Sequence, residues 1–283
     1  MKAFLRALVQ SRGGLFGILI LMLLVAGALL APTLGLPDPV RGDLRARMAP
    51  PTWTGLFAPG AHPLGTDQLG RDILSRIVYG SRITLTIGAY AVVLGGIVGV
   101  MLGIVAGYCG GITDRLLMRL VDIQLAIPLM LLALLVVAAL GPSLTNLVIV
   151  LALTSWIRYA RIIRGQVLAL REREFVQSAR TIGASTAQIM LRHILPNVMT
   201  PALVVATLEL ARIIIMDAAL SFLGLGVQPP AASWGRMLAE GRVYISTAWW
   251  VVTFPGLAIM LTVLSVNLLG DWLRDYFDPR LRT

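Results

Sequence analysis

Residues 15–31 contain no charged side chain, and five further runs of similar length follow, over 83–107, 123–140, 147–163, 198–223 and 249–270. A bilayer's hydrocarbon core takes about 20 apolar residues to cross as a helix. Inside it every backbone N–H and C=O must find its partner within the segment, which selects helices over open strands. The chain is 57% hydrophobic and 13% charged, whereas soluble domains are about 45–50% apolar and about 25% charged. The expectation is an all-α membrane protein with six transmembrane helices.

Rare residues exclude whole chemistries. Lys2 is the only lysine, so the Gly-Lys-Ser/Thr of a phosphate-binding Walker loop cannot be written here. Cys109 is alone, ruling out an internal disulfide, and His62 and His193 sit in different loops, so no histidine-based metal site is expected. The formal charge of +10 would suggest nucleic acid in a soluble chain. Here the basic residues flank the apolar runs, and the positive-inside rule accounts for them without any nucleic-acid partner.

Six crossings put both ends on one side. Fifteen basic residues then fall on that side (Lys2, Arg6, Arg12, Arg115, Arg119, the seven from Arg158 to Arg192, Arg274, Arg280, Arg282) and eight on the other. The bias predicts both termini in the cytoplasm. A cleaved signal peptide is the rival reading of residues 15–31, with Ala26-Gly27-Ala28 as the small residues, but the run exceeds the usual hydrophobic region. The expected organisation is an anchor helix and the start of an external loop over 1–60. An external amphipathic segment, readable as a helix along the membrane surface, covers 61–82. A five-helix core follows over 83–270, and a cytoplasmic tail over 271–283.

Within the spans, Gly95, Gly99, Gly103 and Gly107 recur every four residues, with Gly111 beyond, one face on which another helix backbone can approach. Pro128 lies inside the third run and is tolerable there if neighbours satisfy the freed carbonyl. Arg158, Arg161 and Arg164 read as anchors of the fourth span's cytoplasmic end. Asp114, Arg115, Arg119 and Asp122 form a charged patch before the third run. Glu209, Arg212 and Asp217 are charges within the fifth span, either a structural pair with a lone carboxylate or groups lining a path through the membrane.

One stretch contrasts with these runs: EFVQSARTIGASTAQIMLRHILPN, residues 174–197. It is polar and helix-prone, Gly183 allows a sharp turn between two short helices, and Pro196 closes it. Such an elbow between two spans is a handle that a partner can push; a plain solvated loop is the alternative.

Gln177-Ser178-Ala179, then Gly183, then Leu195-Pro196 resembles the EAA loop of ABC importer permeases. The family's Glu position holds Gln177, its second Ala position Ser178 and its usual Ile position His193. Three other stretches are similar to the peptide and nickel importers of that family. They are His62-Pro63-Leu64-Gly65-Thr66-Asp67 through Leu69-Gly70-Arg71-Asp72 to Ser75-Arg76; Leu220-Ser221-Phe222-Leu223-Gly224-Leu225-Gly226 leading to Ser233-Trp234-Gly235; and Asn267-Leu268-Leu269-Gly270-Asp271-Trp272-Leu273-Arg274 with Asp278-Pro279-Arg280.

The resemblance implies a C-type permease of the dipeptide/oligopeptide/nickel branch, with the type I importer fold, in a bacterial inner membrane. It implies a coupling helix within 171–197 that docks on a cytoplasmic ATPase through Gln177, Ser178, Ala179, Arg180, Thr181, Gly183, Ala184 and Ser185. The implied partners are a homologous B-type permease, two ABC ATPase subunits and an external solute-binding protein. ATP and Mg would be used by the ATPases, with no cofactor, metal or catalytic residue on this chain. Relatives of this branch carry dipeptides, longer peptides, glutathione or nickel chelates, and the scarcity of His and Cys favours peptides. A secondary transporter driven by an ion gradient would call for inverted repeats, and an intramembrane hydrolase would call for a mate to Asp217; the sequence has neither.

Overall fold

The computed structural model describes residues 7–52 and 61–277. Lys2, Arg6, and the tail with Asp278, Pro279 and Arg280 lie outside these. The described residues are helical, apart from loops and one isolated bridge between Thr66 and Asp72. The helices are α1 (Arg12–Leu30), α2 (Ile73–Cys109), α3 (Gly111–Leu125), α4 (Leu129–Leu140), α5 (Leu144–Leu170), α6 (Glu174–Thr181), α7 (Thr186–Ile189), α8 (Leu195–Phe222), α9 (Trp234–Gly241) and α10 (Trp250–Phe277). Four are long and apolar enough to cross a bilayer: α1 with the turn extending it to Thr33, α2, α5 and α10. The pair α3–α4 is a fifth if taken as one bent span. Helix α8, 28 residues long, carries Glu209, Arg212 and Asp217.

Two expectations change. The third apolar run is not one helix: α3 stops at Leu125, Pro128 adopts an extended conformation (φ −59°, ψ 131°) and α4 leaves at 86° to α3. Proline's missing N–H and its ring clash with the preceding turn break the helix here instead of bending it. The 12 residues of α4 reach only about 18 Å, short of the ~30 Å hydrocarbon layer. There is also no separate surface helix over 61–82. Residues 61–72 form a loop, Asp72 caps the next helix by accepting from Ser75 N at 2.7 Å, and α2 then runs unbroken for 37 residues.

The glycine stripe sets the direction of α2 against α5. A Cβ on Gly95 would overlap Ser155 Oγ, and one on Gly99 the Trp156 carbonyl. On Gly103 it would lie 2.8 Å from Ala160 O, and on Gly107 2.7 Å from Val167 Cβ. Residue numbers rise together on both helices, so α2 and α5 run parallel, pressed backbone to backbone. Helix α8 runs the other way: Tyr108 clusters with Ile194 and Val198, while Gly88 faces Leu210 and Ile214. Helix α10 brings Gly270 against Thr207 of α8, and α1 lays Gly14 on Trp272 and Gly17 on the Ser265 carbonyl.

The bundle therefore has two ends. At one, the starts of α1 and α8 meet the ends of α2, α5 and α10; at the other, the loop over 61–72 meets α9 and the start of α10. The first end is cored by Tyr108, Ile163, Val167, Val176, Ile189, Ile194 and Val198. The second is cored by Ile73, Trp234, Met237, Trp250 and Val251.

Candidate functional site

The elbow at residues 174–194 is built by ordinary helix-end chemistry. Val176 and Ala179, three apart, turn one face of α6 into the cluster formed by Tyr108, Ile163, Val167 and Ile194. Helix α6 ends in a Schellman motif: Gly183 N–H donates to Arg180 O at 3.0 Å and Ala184 N–H to Ala179 O at 3.0 Å. Gly183 has φ +82°, and a Cβ there would meet nothing within 4 Å. Backbone conformation, not space, requires glycine at this turn.

Ser185 then starts α7 with a capping box: Gln188 N–H donates to Ser185 Oγ at 3.3 Å, and Ser185 N–H to Gln188 Oε1 at 3.4 Å. A π-helical turn over Met190–Ile194 leads into α8, where Pro196 occupies the first turn and needs no N–H partner.

This puts Gln177, Ser178, Arg180, Thr181, Gly183 and Ser185 on the outer face of the elbow, with Ala184 half-buried. Ala179 faces inward, only 5% exposed, and seats α6 on the bundle. Arg180 is held over the Tyr108 ring, 5.0 Å from its centroid, with Nε donating to the phenol oxygen at 3.2 Å. Gln177 Nε2 donates to Arg171 O at 3.0 Å. Sequence reasoning missed the apolar part of the surface: Ile182 is 85% exposed at the tip, and Phe175 and Leu191 are also exposed. For Ile182 the only signal was an apolar residue beside a turn glycine.

In α8, Glu209 is buried and paired twice, with Arg158 Nη1 at 3.2 Å and Arg212 Nη1 at 3.3 Å. The i,i+3 pair expected from spacing forms, and Arg158 joins it from α5. Asp217, two turns on, is buried, and neither carboxylate oxygen has a hydrogen-bond partner among the described residues. Arg161 pairs with Asp122 at 2.6 Å and Arg164 makes a two-pronged contact with Asp114 at 2.5 and 2.6 Å. The two carboxylates of the α3 patch are thus answered by α5.

At the opposite end lies a buried ionic cluster. Asp67 accepts from Leu69 N, Arg71 N and Arg71 Nε, the last at 2.7 Å, and also from Arg76 Nη1. Glu240 on α9 accepts from Arg71 at 2.9 Å, Arg76 at 3.1 Å and Arg236 at 2.8 Å. Burial pushes the Glu240 carboxyl up, but the Arg236 hydrogen bond and the charges of Arg76 and Arg71 outweigh it and hold it below the usual glutamate range. Trp250 Nε1 closes the cluster by donating to Thr66 O at 3.1 Å. Among the described residues, no group of three His, Cys, Asp or Glu is placed to hold a metal ion.

Comparison with known proteins agrees on one family. A family profile described as "binding-protein-dependent transport system inner membrane component" matches residues 99–283. The chain is 45% identical to the di/tripeptide transport system permease protein of Pseudomonas aeruginosa over 282 residues, covering 100% of this chain and 93% of the relative. It is 41% identical to the dipeptide transport system permease protein of Haemophilus influenzae, over 96% of this chain and 92% of the relative. It is 47% identical to the glutathione transport system permease protein of Pectobacterium atrosepticum, over 79% and 74%.

Proposed function

Because the chain belongs to the family of binding-protein-dependent transport system inner membrane components, we propose that it is a permease subunit of an ATP-driven importer of short peptides in a bacterial inner membrane. It would form half of the path with a homologous permease. Two cytoplasmic ATPase subunits would drive it, and an external binding protein would deliver cargo. The peptide cargo is supported by the names of relatives that are aligned over most of this chain, two for di- or tripeptides and one for glutathione, itself a tripeptide.

The orientation rests on the helix directions. If α8 is counted as a span and α3–α4 as one bent span, the chain crosses six times. Both termini then share the elbow's side, which the positive-inside bias makes cytoplasmic.

The observation that carries the mechanism is the elbow itself. A rigid seat of Val176 and Ala179 on the ends of α2 and α5 supports an exposed tip whose most prominent side chain is apolar, Ile182. An isolated exposed leucine or isoleucine is ordinary on any surface. A capped, hinged one joined directly to two long helices suits a groove on an ATPase. Closure of the ATPase pair would displace the tip and be passed through α5 and α8 to the path. No residue here carries the phosphate chemistry; this chain moves in response to it.

The test is uptake of a labelled dipeptide into proteoliposomes holding this chain, its partner permease and ATPases, with the cargo-loaded binding protein outside. Uptake should require ATP and every subunit. Ile182→Glu should abolish uptake, with the chain still inserted and its melting temperature unchanged. Uptake by this chain alone, driven by an ion gradient, would refute the reading.

A further inference from the structure

Helix α3 has three distinct faces. Val121 and the Asp114 side chain turn toward α5, where Asp114 is held by Arg164 and Asp122 by Arg161. Ile112, Leu116, Leu120 and Ile123, spaced by four, four and three, form an apolar stripe on the free side, each more than half exposed. Arg115 and Arg119, one turn apart, lie along the edge of that stripe; both are exposed. The two carboxylates of α3 are already engaged by α5, so nothing on the helix neutralises these arginines.

The depth of this helix follows from its neighbours. Asp114 is bonded to Arg164, whose carbonyl oxygen lies 3.0 Å from where a Cβ on Gly107 would stand. The start of α3 is therefore level with the last turn of α2. Helix α2 ends at Cys109, and α3 turns back from that end along α5, Asp114 meeting Arg164 and Asp122 meeting Arg161. The zone just inside this turn holds Arg115 and Arg119. Helical side chains lean toward the helix N-terminus, here the outer side of the zone, and arginine stems can lie along apolar surface while the guanidinium stays at headgroup level.

We propose that Arg115 and Arg119, set beside the apolar stripe, form a binding site for the phosphate headgroup of an anionic phospholipid whose acyl chains run inward over Leu120 and Ile123. The pairing is chemically complete: two fixed cations for an anionic diester, apolar contact for its chains, and no competing carboxylate left free on α3. A lipid so bound covers α3 as far as Ile123, two residues before the helix ends at Leu125 and the chain turns through 86° into α4, so anionic lipid would stabilise α3 against α5 on the approach to this bend.

The test uses the whole complex, with partner permease and ATPases, in phosphatidylcholine vesicles doped with photoactivatable phosphatidylglycerol. Label should map to α3. Arg115→Gln/Arg119→Gln should weaken the interaction on the order of thirtyfold, and Arg115→Gln alone roughly fivefold, at about 1 kcal/mol per interfacial arginine. Arg115→Lys/Arg119→Lys should retain it. If the double variant does not assemble, the single Arg115→Gln change decides the matter. Equal labelling of wild type and the glutamine variants, or cross-links from α3 to a partner protein with no lipid adduct, would overturn the proposal.

Discussion

Arg76 in the first turn of α2 donates to Glu240 on α9 at 3.1 Å, although 164 residues separate them in the chain. With Asp67 and Arg71 this contact ties the loop before α2 to the helix before α10. Removing one partner of a buried ion pair leaves an uncompensated charge, which typically costs about 3–5 kcal/mol. Glu240→Ala should therefore lower the melting temperature of the purified complex markedly. Arg236→Ala, which leaves Glu240 its contacts with Arg71 and Arg76, should cost less than Glu240→Ala. Equal effects of the two changes would contradict the central place given to Glu240.

The same carboxylate sets a pH dependence. Its folded pKa lies below the unfolded value of 4.5, so the folded state favours the ionised form. That contribution is complete above pH 4.5 and is lost as pH falls through the lower, folded value. Wild-type melting temperature should drop on acidification below about pH 4.5, and Glu240→Gln should remove part of that drop. An identical acid profile in the variant would show that Glu240 is not responsible.

Gly99 sits where a Cβ would overlap the Trp156 carbonyl. Gly99→Val should force α2 and α5 apart, at a cost of about 1–3 kcal/mol or more, and reduce the yield of folded protein. Gly27→Ala, at a position with nothing within 4 Å, should be tolerated. Comparable losses at both positions would remove the close-packing account of the stripe.

Asp217 is buried with both oxygens unbonded among the described residues. An ionised carboxylate without a partner costs more in a protein interior than a neutral amide does, so Asp217→Asn, which removes the charge, should stabilise this conformation. At roughly 2–4 °C per kcal/mol for a chain of this size, the melting temperature should rise by a few degrees. If the carboxylate finds its partner only in the other conformation of the cycle, uptake should fall while the subunits still co-purify. A lower melting temperature with normal uptake would contradict both parts.

The four helices long and apolar enough to cross a bilayer were legible because apolar runs and a four-residue glycine repeat are local signals. The elbow was legible for the same reason: Gly183 marks the turn and Pro196 the restart, and each acts through its own backbone. Other features depended on partners far along the chain. Ser75 and Arg76 read as surface residues until Asp72 and Pro37 take up Ser75 and Asp67 and Glu240 surround Arg76; α2 thus begins ten residues before its apolar run. Ala179 reads as one more small residue of the elbow, yet its helical phase points it at Val167 and Ile194. Pro128 is compatible with either a kinked or a broken span. The sequence does not write which of the two occurs; the structure breaks the span and turns it through 86°.

The central claim is that the elbow lies in the cytoplasm and is gripped there by an ATPase. Ile182→Cys tests it directly, in a background where the exposed Cys109 is replaced by serine, with a membrane-impermeant thiol reagent. The introduced thiol should be unreactive in intact cells, reactive in inverted vesicles stripped of ATPase, and protected again when the ATPase is restored. Labelling in intact cells, or reactivity that is indifferent to the ATPase, would contradict the account.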